Sequence, residues 1–73
     1  MADPTPPPLR PFVYIDELSA ELGIPLPTLR HWRQKGTGPE SFRVGRRVAY
    51  RRDVVRRWLE RQERLTAVPS RRH

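Results

Sequence analysis

Thr28, Arg30, His31 and Gln34 fall within one seven-residue stretch and bring a hydroxyl, a guanidinium, an imidazole and an amide. Leu29 and Trp32 lie between them, with Leu26 one turn earlier. At helical spacing these apolar residues share one face, and the polar four point away from it over a broad arc. A helix carrying that set is equipped to read a DNA major groove, where Gln pairs bidentately with adenine and Arg with guanine. Arg33 and Lys35 sit toward the end of the same segment, placed for phosphates. The plainer alternative is an ordinary solvated face, and Thr28 alone is equally a local backbone cap.

A second group is basic. Gly45-Arg46-Arg47 has the composition of a hairpin tip, flanked by Arg43, Arg51 and Arg52. A narrow minor groove has enhanced negative potential and suits such arginines. Tyr50 either donates its hydroxyl to a phosphate or tucks into the core, and the sequence leaves both open. Trp32 and Trp58 lie on apolar stripes, so core positions are expected rather than stacking platforms for single strands. Arg56, Arg57, Arg61 and Arg64 fall mostly off the apolar stripe of the last segment. Interleaved Glu60 and Glu63 make that a solvated face with local ion pairs, or else a partner surface or a second phosphate contact.

Other chemistries find little in the chain. His31 and His73 are the only imidazoles, there is no Cys, and no Ser sits near a plausible base. Asp16 and Glu17 are adjacent, which does not place two carboxylates on one helix face. There is no phosphate-binding G-x-x-x-x-G-K-[ST] loop. Seventy-three residues build a modest core, so a closed catalytic pocket is not expected. Neither an enzyme, a cofactor, a metal nor a small-molecule ligand is expected. No apolar run approaches the roughly 18 residues of a membrane span. The N-terminus lacks the apolar stretch of a secretory signal, so the expectation is a cytoplasmic protein without membrane contact.

The charge is uneven. The chain carries 15 basic and 8 acidic residues for a net +7, and every basic residue except Lys35 is Arg. Residues 1–24 set Arg10 against Asp3, Asp16, Glu17 and Glu21, a net −3. Residues 25–64 hold 12 basic and 4 acidic side chains, a net +8. Arginine concentrated in the middle of the chain points to a polyanion, because each neutralised phosphate releases counterions.

The elements that must position these groups can be read in outline. Five of the first eleven residues are Pro, so residues 1–11 read as a flexible polyproline-type arm. Ile15, Leu18 and Leu22 form an inward stripe on a first helix, opened by Asp16 and Glu17 and closed by Gly23. Ile24 offers an apolar plug at the turn. Pro25 and Pro27 fit the first turn of a second helix that runs to Lys35 and closes at Gly36. Phe42–Val44 and Val48–Arg51 read as a two-stranded hairpin around Gly45, with Phe42 and Val44 facing the core. A last helix spans Asp53–Leu65, with Val54, Val55, Trp58 and Leu59 on its apolar face, extended by Gln62 and Leu65. Residues 66–73 read as a basic flexible tail. The fold class is mainly α with a small β-hairpin: a winged helix-turn-helix over residues 12–65.

These residues carry a resemblance. Tyr14-Ile15-Asp16-Glu17-Leu18-Ser19-Ala20-Glu21-Leu22-Gly23-Ile24 resembles the opening of the small MerR-like winged helix-turn-helix domains. Thr28-Leu29-Arg30-His31-Trp32 is similar to their second helix. Val44 to Val54, with VGRRVAYRRDV, resembles their wing and the entry to the next helix, and Trp58-Leu59 its close. The likeness covers about residues 14–62. Stand-alone proteins of this kind include phage and prophage excisionases, also called recombination directionality factors, and AlpA-like regulators. The resemblance implies that the second helix enters the major groove and the wing meets the adjacent minor groove or backbone. It places Arg30 at phosphate, Thr28, His31 and Gln34 at bases or backbone, and Arg46, Arg47 and Arg51 in the basic wing. Pro25 and Pro27 depart from it, standing where a Ser or Thr cap is common.

The expected function is therefore a non-catalytic, sequence-specific excisionase that binds double-stranded DNA near attachment sites and directs a phage or prophage integrase, with self-association on DNA. One alternative is a small MerR/AlpA-like transcriptional regulator. The other is an integrase-binding module in which the Pro-rich arm or last helix makes the main contact and DNA affinity is secondary.

Overall fold

A computed structural model describes residues 10–68. The elements run β1 (Phe12–Tyr14), α1 (Ile15–Leu22), α2 (Leu26–Lys35), β2 (Phe42–Val44), β3 (Arg47–Arg51) and α3 (Arg52–Thr66). The expected arm and tail fall largely on residues 1–9 and 69–73, outside the described residues. Arg10 and Pro11, at the end of the arm, are held by α3: Arg52 donates from Nε to the Arg10 carbonyl at 2.8 Å and from its backbone N–H to Pro11 at 2.9 Å.

Local chemistry explains each helix boundary. At the start of α1, Glu17 Oε1 accepts the Tyr14 backbone N–H at 2.9 Å, satisfying a donor just ahead of the helix. Ser19 ties off the other end, accepting the Gly23 N–H at its carbonyl and donating its hydroxyl to the Ile24 carbonyl at 2.6 Å. At the start of α2, no side chain replaces the missing Ser or Thr cap. Instead the Pro25 carbonyl accepts from Thr28 and Leu29 at 3.0 and 3.2 Å, and Pro27 needs no partner for an amide hydrogen it lacks. The helix closes in a Schellman pattern, Gly36 N–H to the Arg33 carbonyl and Thr37 N–H to that of Trp32.

The sheet corrects the expected two-stranded wing: it has three antiparallel strands in the order β1-β3-β2. Phe12, Val13 and Tyr14 pair with Arg51, Tyr50 and Ala49, and Phe42, Arg43 and Val44 with Ala49, Val48 and Arg47. Paired residues share a face, so Val13, Val48 and Tyr50 face the helices. Phe42 and Val44 lie on the opposite face, a second correction. There Phe42 packs edge-on against Phe12 at 6.2 Å, and Phe12 against Tyr14 at 5.5 Å. Ala49, fully buried, sits in register between Tyr14 and Phe42. The reversal comes from the tight turn. Only Gly45 and Arg46 link β2 to β3, which fixes the register, and Gly45 supplies the positive φ of 63° that such a turn requires.

Val13, Ile15, Leu18, Leu29, Tyr50 and Val55 form the core, with Leu22, Ile24, Leu26, Trp32 and Val48 packed against it. Trp32 meets Trp58 with ring centroids 5.6 Å apart, joining α2 to α3. Gly38 is needed beside them. Its φ is +74°, and a Cβ there would stand 2.9 Å from Trp32 Cε3. The apolar face expected of the last helix is only partly used. Val55 is buried, whereas Leu59 and Leu65 are 41% and 71% exposed.

Candidate nucleic-acid interface

Residues of α2, the wing and the start of α1 enclose a groove of about 520 Å³, lined by Ile15, Asp16, Arg30, Arg33, Gln34, Arg46, Arg47 and Val48. Its geometry follows from helical period. Arg30, Arg33 and Gln34 stand at i, i+3 and i+4, so they share one side of α2. Leu29 and Trp32 occupy the reverse side, and Leu29 is fully buried. The opposite wall is set by the wing turn, which brings Arg46 and Arg47 across from α2. Chain segments centred on residues 16, 32 and 47 thus meet at one opening.

Five of the candidates, Arg30, Arg33, Gln34, Arg46 and Arg47, line this groove together. His31 and Lys35 are exposed on α2. They follow Arg30 and Gln34 in sequence by one residue, about 100° further round the helix, and widen the polar face. Thr28 is half-buried in the first turn. Arg43 is exposed on β2 and Arg51 at the end of β3, neither of them lining the groove. Tyr50 is corrected: it is 1% exposed, a core residue and not a phosphate ligand. It shares the inward face of β3 with Val48, and burial pushes its hydroxyl pKa up against the opposing pull of Arg33. Trp32 belongs with the core, as expected.

Ion pairing separates two kinds of arginine. On the α1 side, every carboxylate has a guanidinium: Asp16 with Arg47 at 3.3 Å, Glu17 with Arg10 at 2.6 Å and Glu21 with Arg52 at 3.5 Å. The Tyr14 backbone N–H and then the Arg10 guanidinium hold the Glu17 carboxyl below its ordinary value. Asp53 pairs with Arg51 and Arg57. Arg30, Arg33, Lys35, Arg43 and Arg46 have no carboxylate partner among the described residues. Arg33 is steadied instead by its Nε donating to Ser41 Oγ at 3.1 Å. Arg56, Arg61 and Arg64 of α3 likewise have no carboxylate partner, so among the described residues five of the eight unpaired cations lie on α2 and the wing and three along α3, with their fields directed at solvent.

Asp16 and Tyr14 are part of this site although neither stood among the candidates. Asp16 read as a helix-opening residue, and its partner Arg47 is 31 positions away. The Arg47 guanidinium also lies 3.5 Å from the centroid of the Tyr14 ring. Nothing local in the sequence signals that stack; it forms because β1 pairs with β3. Among the described residues, no group of three or more His, Asp or Glu is placed to hold a metal ion. No described helix is long and apolar enough to cross a membrane.

Comparison with known proteins agrees with the fold. A helix-turn-helix domain family matches residues 14–63, from the end of β1 to the last turns of α3. No curated protein and no solved structure matches the chain. The match takes in α1, α2 and the wing, which together line the groove, and most of α3. The chain belongs to this family of DNA-binding, typically non-catalytic helix-turn-helix domains.

Proposed function

We propose that the chain binds double-stranded DNA sequence-selectively through α2 and the wing, and serves as an excisionase that directs an integrase toward excision. The observation that carries the DNA reading is the groove in which Arg30, Arg33 and Gln34 face Arg46 and Arg47. A ten-residue helix about 15 Å long lies readily in a major groove about 12 Å wide. In that pose Gln34 and His31 reach base edges, Arg30 and Lys35 reach phosphates, and Arg46 follows the neighbouring backbone or minor groove. The recombination role is supported by the resemblance of residues 14–62 to the small MerR-like winged helix-turn-helix domains, whose stand-alone members include excisionases. The DNA strand chemistry would belong to the integrase.

Selection of bound duplexes from a random pool at near-physiological salt tests the reading. Enrichment of a short motif is expected, in direct repeats about one helical turn apart if the protein assembles side by side near attachment sites. An inverted pair would point instead to a dimeric transcriptional regulator of AlpA type. Replacing Arg46 and Arg47 together by Ala should abolish tight binding and integrase-dependent excision in parallel. Unchanged binding would remove the wing from the interface. General, salt-sensitive affinity without enrichment, combined with integrase capture that survives nuclease, would make integrase contact the primary function.

A further inference from the structure

Arg47 differs from Arg46, its neighbour at the wing turn, in being held. Its Nη2 donates to Asp16 Oδ1 at 3.3 Å while its guanidinium covers the Tyr14 ring. Both holders belong to the β1–α1 junction, which is itself tied down. Tyr14 pairs with Ala49 in the sheet, its N–H is bonded to Glu17, and Arg10 lies 5.2 Å from the same ring. Asp16 is also the one carboxylate among the residues lining the groove. In the first turn of α1 its charge favours the helix, but at a surface that meets phosphates the same charge works against affinity.

We propose that Asp16 is a positioning residue that sets specificity: with the Tyr14 ring, it fixes Arg47 on the groove wall. The inference rests on the DNA-binding reading above. A free guanidinium on its long flexible stem reaches phosphates in many registers, and phosphate contacts carry no sequence information. A held guanidinium is offered to one arrangement of the duplex. The Asp16 carboxylate also repels phosphates that approach in other registers. Both effects weaken binding to arbitrary duplex more than binding to the preferred one.

The test measures the full 73-residue chain by fluorescence anisotropy against two duplexes, the motif enriched from the random pool and a scrambled duplex of equal length, over a salt series. Asp16→Asn removes the charge and keeps an acceptor. It is expected to bind the scrambled duplex about three- to tenfold tighter, with its salt slope steeper by about one phosphate contact. Affinity for the motif changes less, so the ratio between the two falls. Asp16→Glu, which keeps the charge, restores the ratio. Equal changes on both duplexes, or an unchanged ratio, overturn the proposal. Should Asp16→Asn fail to fold by circular dichroism, Tyr14→Leu removes the other holder and must lower the same ratio. A wild-type chain that binds neither duplex defeats the DNA reading as well. A discriminating wild type with an unaltered Asn variant defeats only the role of Asp16.

Discussion

The arginines around α2 and those around α1 are the same residue doing opposite work. Arg10 and Arg52 lie against carboxylates of α1 and also tie the entry of β1 to the start of α3. Arg30 and Arg46 have no such partner among the described residues and face the groove. The difference is made by α1, whose acidic residues neutralise their own side of the molecule and leave the other side positive. Net charge alone would have suggested a uniformly basic surface. Arg47 stands at the boundary, lining the groove while paired to Asp16.

That contrast can be broken most severely from beneath. Leu29→Ala removes a fully buried side chain from the reverse face of α2 and is expected to cost about 2–5 kcal/mol of stability. Both arginine groups should fail together, which a thermal melt run alongside DNA titration would show. Retained stability would mean that α2 is not anchored through Leu29. Next in size, Gly38→Ala forces a positive-φ residue against the Trp32 ring and should cost about 1–3 kcal/mol in chemical denaturation. DNA affinity measured well below the melting temperature should change little.

Arg30→Ala separates the groups. It is expected to weaken binding about uniformly across duplexes, with a salt slope shallower by about one contact. The melting temperature should hold, because no partner among the described residues is lost. Arg57→Ala is the mirror case: its exposed pair with Asp53, 3.5 Å apart, should be worth no more than about 0.5 kcal/mol. The smallest effect concerns pH. The Glu17 pKa is lowered from its ordinary 4.5, so its contribution is complete above that value and is lost as pH falls through the folded-state pKa. Acid titration of Glu17→Gln should show a flatter stability profile below pH 4.5 than the wild type.

Much of the fold was legible because its signals are local. The stripe of Ile15, Leu18 and Leu22, the prolines at the start of α2 and Gly36 at its end all act within one or two turns. The groove face of α2 was legible for the same reason, since Arg30 and Gln34 are set opposite Leu29 and Trp32 by helical period. Strand β1 was not. Three residues are too short for alternation to register, and its partners Ala49, Tyr50 and Arg51 lie more than thirty positions away. Missing β1 left Tyr50 ambiguous, because its inward orientation follows from pairing with Val13.

By itself, then, the sequence determined the helices, the presence of a wing and the polar character of α2, all of which depend on neighbours along the chain. Only the tertiary structure decided which cations remain free. It turned Phe42 outward through the Gly45-Arg46 turn and buried Tyr50 through β1. It brought Asp16 and Tyr14 against Arg47. Those outcomes depend on strand register and on contacts between distant residues, and a charge has no local mark showing whether a carboxylate will fold to within 4 Å of it.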